Sequence, residues 1–316
     1  MLSDQRLYYT EHEPDRLGHL RKDFERAQNE LKSVNSRLIP YWNGLHWLSN
    51  ATMKQPDLLS VESTAFHKND PDTIFLGEQN GVRFFSVDLS GYSEEEALAL
   101  LPDGKFMDIR LTPVLKRSNQ APLLVYTRGL YIWHSKNLFC GLCGEDTKQI
   151  DAGHARKCCN CAHVVYPRVD PAVIVLIEYL PEKGEPMCLL GRHRSRHPKM
   201  YSTLAGFVET GETLEAAVKR EMIEEVALEV SNIRYVTSQP WPFPSSIMIG
   251  FYAQAHSMDI TLDQDEVLEA QWLTAREIRK LVSRDELILS REDSIARYLP
   301  SLTRSFVKSA HTFNRG

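Results

Sequence analysis

Three glutamates, Glu221, Glu224 and Glu225, crowd one end of the stretch GFVETGETLEAAVKREMIEEVAL, which runs from Gly206 to Leu228. The stretch has helical periodicity, and residues four apart on a helix share a face, so Glu221 and Glu225 align with Glu224 beside them. Like charges at this spacing cost a few tenths of a kcal/mol per pair, roughly, and a hard divalent cation with oxygen ligands is the commonest reason to tolerate them. A solvated acidic face is the other reading, and the surrounding residues must choose between the two.

A second group able to do chemistry lies upstream. Five of the six cysteines fall between Cys140 and Cys161, and Cys140, Cys143, Cys158 and Cys161 make the pattern C-x2-C-x14-C-x2-C. Cys159 leaves the second pair ambiguous by one position, but only Cys158 keeps the two-residue gap. Four thiolates can close a tetrahedral shell around Zn2+, and a segment this short has no adequate core without the ion. Such a closed shell leaves no position for water, so the expected zinc is structural; a redox thiol cluster is the alternative. Cys188, alone in the apolar run MCLLG, reads as a small core residue.

Several elements must position these groups. From Pro171 onward PAVIVLIE, MCLLG, RYVTSQ and IMIGFYAQA are apolar or alternating runs suited to strands. They flank a helix expected from Thr213 to Val230, with Leu214, Ala217, Val218 and Met222 on its apolar side. In the first third, residues 14–37 read as an exposed helix, and TIFLGEQNGVRFFSVD, Thr73 to Asp88, as a hairpin turning at Asn80-Gly81. Ser93 and Glu96 form a capping box for a short helix through Leu101. The expected architecture is mixed α+β and α/β: an N-terminal α+β domain over 1–136, a zinc ribbon over 137–166 and an α/β domain over 167–316.

The helix region satisfies G-x5-E-x7-R-E-U-x-E-E-x-x-U, with U apolar, through Gly206, Glu212, Arg220, Glu221, Met222, Glu224, Glu225 and Leu228. This long, gapped pattern resembles the Nudix hydrolase signature. One position departs: the glycine usual after the glutamate pair is Ala227 here, and an altered helix ending with unchanged chemistry is expected. The resemblance implies an α/β/α sandwich that binds Mg2+ or Mn2+ and hydrolyses a nucleoside diphosphate linked to another moiety. It further implies Glu221, Glu225 and the backbone carbonyl of Ala205 as metal ligands, and Glu266 as metal ligand or base, with Glu269 the neighbouring candidate to Glu266. Glu224 is implied as a ligand or an acceptor that orients water, and Arg220 as the holder of a neighbouring carboxylate.

Downstream, SQPWPFPSS, residues 238–246, interleaves three prolines with Trp241 and Phe243. Proline removes a donor and pushes its predecessor towards extended conformations, so Gln239 to Pro244 is expected to be stiff and outside any sheet. By itself this is a rigid connector or an aromatic ligand loop. Placed after a Nudix box, it is similar to the specificity signature of the NADH pyrophosphatase (NudC-like) branch, as are the four-cysteine ribbon and Tyr166-Pro167-Arg168. The resemblance covers about residues 126–300 and implies cleavage of a dinucleotide to a nicotinamide mononucleotide and AMP. It also implies substrate contacts at Tyr166, Phe207, Gln239, Pro240, Trp241, Pro242, Phe243, Pro244, Ser245 and Ser246, with Ala296 closing the pocket, and a homodimer. For Tyr166 and Phe207 a place in the core is the alternative.

Composition bounds the rest. With 42% hydrophobic and 25% charged residues the chain is ordinary globular material, and its formal charge of −5 argues against broad electrostatic binding of nucleic acid. The longest apolar run, Ala172 to Ile177, is far short of the ~20 residues that cross a bilayer, and neither a signal peptide nor a C-terminal peroxisomal tripeptide is recognised, so a cytoplasmic protein is expected. The basic run Arg192 to His197 is either a phosphate or RNA contact or a solvated loop. Three functions stand at this point: NAD(H) diphosphatase, removal of an NAD cap from RNA by the same chemistry, and a catalytically silent nucleotide or RNA sensor. The intact glutamates speak against the last.

Overall fold

The computed structural model describes residues 7–11, 14–22, 35–49, 59–60, 73–194 and 197–301. The described residues divide into two units: those of Tyr8–Val169 with Trp241–Ser245, and those of Met1–Leu7, Asp170–Pro240 and Ser246–Gly316.

In the first unit, the strands β1 (Ser36–Trp42), β2 (Leu45–Ser49), β3 (Leu59–Ser60), β4 (Thr73–Gln79), β5 (Val82–Asp88) and β6 (Gly104–Met107) form one sheet. Its order is β4-β5-β1-β2-β6 with β3 also on β1, and β1 runs parallel to β5. Period-two alternation sorts its side chains. Ile74 and Leu76 enter one core, against Leu123, Leu124 and Leu130 of the long helix Ala121–Ser135, while Phe75 and Phe85 enter the other, with Trp47 and Ala97. The Asn80-Gly81 turn is present, with both residues at positive φ and Gln79 opposite Val82. The capping box also forms, Ser93 and Glu96 bonding reciprocally at the start of helix α1 (Glu94–Ala99), which ends two residues short of Leu101. The expected helix over 14–37 is not seen in its described part: Asp15 pairs with Glu78 as a β-bridge and Leu17 has positive φ, while 23–34 lie outside the described residues. Helices α2 (Pro113–Lys116) and α3 (Ala121–Ser135) lead to the ribbon, a three-stranded antiparallel sheet of β7 (Thr147–Ile150), β8 (Ala155–Cys158) and β9 (Val164–Val165). Buried histidines fasten it: His134 Nε2 lies 2.8 Å from the Gly153 carbonyl and His154 Nε2 2.7 Å from that of Phe75.

The second unit is an α/β/α sandwich. Its sheet has the order β14-β15-β10-β11-β16, from β10 (Asp170–Tyr179), β11 (Met187–His193), β14 (Val230–Trp241), β15 (Ser246–Ala255) and β16 (Val267–Thr274), with β13 (Leu204–Phe207) also on β10. A small separate ladder joins β12 (Met200–Tyr201) to β17 (Ile288–Leu289). Val173, Val175 and Ile177 of β10 face Ala217, Val218, Met222 and Val226 of helix α4 (Leu214–Val226). Ile174 and Leu176 face the other way, towards Ile278 of α5 (Ala275–Ser283) and Ile295 and Leu299 of α6 (Ile295–Ser301). Cys188 is in this second core, and burial pushes its thiol up to about 12. Among the described residues no helix is long and apolar enough to cross a membrane.

Two local expectations change. Gln239, Pro240 and Trp241 are not outside the sheet but end β14, and the turn begins at Pro242. Proline is tolerated because β14 is the edge strand, where one side of the backbone needs no ladder partner. Helix α4 stops at Val226 rather than Val230, and its ending is not altered by alanine: Ala227 keeps the left-handed conformation, φ 56° and ψ 34°. Its N–H reaches the Ile223 carbonyl and that of Leu228 the Met222 carbonyl, each at 3.0 Å, so the orphan carbonyls are satisfied.

Candidate metal and substrate site

Helix α4 begins at Thr213, whose side chain accepts from the Ala216 N–H at 3.1 Å, and this cap sets which faces the glutamates occupy. Glu221 and Glu225 point inward and are buried, while Glu224 is exposed. Glu221 lies over β13, its carboxylate filling the space where a Cβ on Gly206 would be, so the first glycine of the motif is required by contact rather than by backbone conformation.

Arg220 organises the outer carboxylates. Its Nε and Nη2 grip both oxygens of Glu212 at 2.7 and 3.0 Å, while Nη1 donates to Glu221 at 3.0 Å and Glu224 at 2.8 Å. Nη2 also donates to the Phe207 carbonyl at 2.8 Å, tying the helix to the end of β13. The guanidinium holds the Glu212 carboxyl down to about 2. Glu212 was legible in the motif as a fixed position, yet its task of orienting Arg220 needed the fold.

Glu225 is different. It is 2% exposed, and its Oε2 is buried without any hydrogen-bond partner. Burial first, then the charges of Glu221, Glu266, Asp263 and Glu224, push its carboxyl up to about 8. Burial likewise raises Glu221, against the pull of Arg220. A buried carboxylate oxygen with no donor, among like charges, is the environment a cation completes.

Glu266 belongs to this group, its charge raising both Glu221 and Glu225. Glu269 is diverted: it accepts from Arg192 Nη2 at 2.6 Å and from the Tyr201 hydroxyl. Asp263 is an addition that sequence reading missed, although it stands in the same acidic run as Glu266. Its N–H donates to the Glu225 carbonyl at 3.0 Å, and Thr261 N–H to that of Val226 at 3.1 Å, so the segment closes the end of the helix and brings the extra charge close. Ala205 pairs with Ile174 in β13, next to Gly206.

The four cysteines meet as their spacing requires. The Sγ atoms of Cys140, Cys143, Cys158 and Cys161 all lie within 4.8 Å of one another, and three pairs are separated by 3.4, 3.6 and 3.7 Å. A zinc tetrahedron with bonds of about 2.3 Å has edges of about 3.8 Å, so the cluster fits a structural Zn2+. Cys159 is exposed and outside the group, and none of the cysteines is in a disulfide.

The residues expected to meet substrate divide into three environments. Tyr166 and Phe207 are not core residues: they are 59% and 60% exposed. Gln239 and Ala296 are buried, and the Gln239 amide is committed, donating to the Asp293 carbonyl and accepting from the Ile295 N–H, each at 2.8 Å. Trp241 and Phe243 are half-buried and meet edge to face, with ring centres 5.0 Å apart, while Pro242 between them is buried. Pro244 is exposed, and Pro240, Ser245 and Ser246 are intermediate. In the basic run, Arg192 is engaged by Glu269 and Arg194 by the Gln264 carbonyl at 2.6 Å; Ser195 and Arg196 lie outside the described residues.

Two family models match adjoining segments of the chain. Residues 169–292 match the NUDIX domain model, and residues 135–166 match the NADH pyrophosphatase zinc ribbon domain model. The chain carries a Nudix domain behind an NADH pyrophosphatase zinc ribbon. It is 33% identical over 266 residues to Nudix hydrolase 19, chloroplastic, of Arabidopsis thaliana, covering 79% of this chain and 58% of that protein. To the NAD-capped RNA hydrolase NUDT12 of Homo sapiens it is 36% identical over 217 residues, 66% of this chain and 46% of that one. To the NAD-capped RNA hydrolase NudC of Pseudomonas aeruginosa it is 40% identical over 184 residues, 58% and 62% respectively. The matches therefore span about half to three fifths of these relatives' own lengths. The Nudix domain accounts for the helix of glutamates and implies a divalent cation, for which the unpartnered Glu225 oxygen is the structural counterpart.

Proposed function

We propose that the protein is a metal-dependent NAD(H) diphosphatase, splitting the pyrophosphate of NADH or NAD+ with water into NMN(H) and AMP. The observation that carries the metal dependence is Glu225 Oε2, buried and unpartnered among Glu221, Glu266 and Asp263, and the match of residues 135–166 to the NADH pyrophosphatase zinc ribbon supports the substrate. We assign Glu221, Glu225, Glu266 and the Ala205 carbonyl as ligands of Mg2+ or Mn2+. When bound, the cation neutralises pyrophosphate oxygens and acidifies water.

The protein's own groups do the rest. Arg220, fixed by Glu212, keeps Glu221 and Glu224 in place, so little reorganisation is needed when charge develops at phosphorus. Glu224, exposed on the same patch, orients the attacking water or accepts its proton. Tyr166 and Phe207, exposed rings on the ribbon's edge and on β13, supply stacking surfaces for nicotinamide or adenine, as do Trp241 and Phe243. We assign Gln239, Pro240, Pro242, Pro244, Ser245, Ser246 and Ala296 to the same set of substrate-contacting residues.

Removal of an NAD cap from RNA cuts the same bond in a larger substrate, and the two relatives called NAD-capped RNA hydrolases support it as a second activity. A four-thiolate zinc site suits a reducing compartment, and we infer a cytoplasmic protein. We also infer a homodimer, supported by the exposed Phe139, Leu142, Tyr166 and Val169; light scattering behind size-exclusion chromatography tests it.

The deciding assay compares hydrolysis of NADH, NAD+, ADP-ribose and NAD-capped RNA, with Mg2+ and with Mn2+, for the wild type and Glu225→Gln. The wild type is expected to cleave dinucleotides and the variant to be inactive. Equal, negligible cleavage by both would remove the enzyme reading.

A further inference from the structure

Arg128 sits on α3, far from the glutamates in sequence, with three tasks that converge on one loop. Its Nε donates to the Pro242 carbonyl at 3.0 Å, its Nη1 donates to the Gly44 carbonyl, and its guanidinium lies 5.0 Å from the centre of the Phe243 ring. Arg110 lies over the same ring at 4.6 Å. The surroundings are shaped to this contact. Gly44 has φ +87°, and a Cβ there would come within 2.8 Å of Arg128 Nη1. Next on the helix, a Cβ on Gly129 would stand 3.4 Å from Pro242 Cβ, in ordinary contact, so only a side chain with further branches would press on the loop. Trp241 and Phe243 in turn rest against Tyr9, with ring centres 6.5 and 6.3 Å away.

We propose that Arg128 is a positioning residue for dinucleotide recognition: it fixes the Pro242 backbone and the Phe243 ring, and through them the edge-to-face pair with Trp241. This rests on the reading that these rings meet a substrate ring. The chemistry favours arginine. Only a planar guanidinium can donate in two directions within its plane while laying its face on an aromatic ring; an ammonium is a point charge that does one or the other. Rings held in place before binding lose little entropy on contact, so loosening them weakens affinity more than turnover.

The experiment compares the wild type with Arg128→Lys, which keeps charge, and Gly129→Val, which keeps Arg128 but crowds Pro242. Valine is no worse than glycine within a helix, so this second variant is expected to fold even if the first does not. Because stacking on an aromatic side chain contributes substantially to holding a base, a disordered pair is expected to raise KM for NADH about tenfold, with kcat changed by less than about threefold. ADP-ribose, with one ring instead of two, is expected to lose less. NADH binding without added Mg2+ or Mn2+, read from NADH fluorescence, is expected to weaken in parallel. Should the wild type bind NADH without cleaving any substrate while both variants bind it less tightly, the diphosphatase reading fails and the positioning role stands. Lowered melting temperatures with unchanged KM and NADH affinity would overturn the proposal and leave Arg128 as a fold staple. Absence of NADH binding by the wild type would overturn it too.

Discussion

The carboxylate of Glu221 and an imagined Cβ on Gly206 would occupy the same space. The glutamate is thus placed by what residue 206 lacks. Gly206→Ala is expected to displace the Glu221 carboxylate by about a methyl radius and lower kcat about 100-fold, since an error near 1 Å in a catalytic group costs about that much. Steady-state kinetics on NADH measure it; full activity would show that Glu221 has no fixed role.

Glu225 makes stability depend on pH in a particular direction. Its folded value of about 8 lies above the ordinary 4.5, so between these limits the native state holds a proton that the unfolded chain has released. Stability of the cation-free protein is therefore expected to fall as pH rises from about 4.5 to about 8 and then to level. Glu225→Gln should flatten that slope and raise the melting temperature at pH 8, and Mg2+ or Mn2+ should stabilise the wild type at pH 8 but not the variant. Calorimetry across this range decides it, and parallel slopes for the two proteins would contradict it.

Ala227 occupies a left-handed helix ending, φ 56°, that glycine takes without penalty. Ala227→Gly is expected to stabilise the fold by about 1 kcal/mol without changing activity, because the residue carries no functional group. Urea titration should move the midpoint upward at constant slope.

The ribbon should hold one zinc per chain through Cys140, Cys143, Cys158 and Cys161, leaving Cys159 exposed and Cys188 buried. Metal analysis of Cys158→Ser is expected to show loss of zinc, and of Cys159→Ser to show none. In the native wild type a thiol reagent should find Cys159 rapidly, and a chelator should then release the four ligand thiols. Rapid reaction of all of them in zinc-loaded protein would refute the assignment.

The carboxylate cluster was legible in so far as its parts are local. Arg220, Glu221, Glu224 and Glu225 lie on one helix, where the 3.6-residue period pairs Glu221 with Glu225 and Arg220 with Glu224, whereas Glu212 lies ahead of the helix and meets Arg220 only through the fold. The four cysteines likewise carry their geometry in their spacing, and Asn80-Gly81 and Ser93 to Glu96 specify a turn and a cap from neighbouring residues. The expectation that failed locally, a non-sheet Gln239 to Trp241, failed because an edge strand excuses proline, and edge position depends on the whole sheet.

The order of residues by itself therefore determined two local clusters: carboxylates gathered on one amphipathic helix, and four thiolates at zinc spacing. Only tertiary structure decided which groups are left wanting a partner. Glu225 is stranded in the core while Glu269, outwardly its equal in sequence, is satisfied by Arg192 and Tyr201; Gln239 is spent on Asp293 and Ile295, and Phe243 is received by Arg128. Burial and hydrogen bonding of this kind are set by residues tens to over a hundred positions away, and no local period records what distant strands and helices will bring alongside.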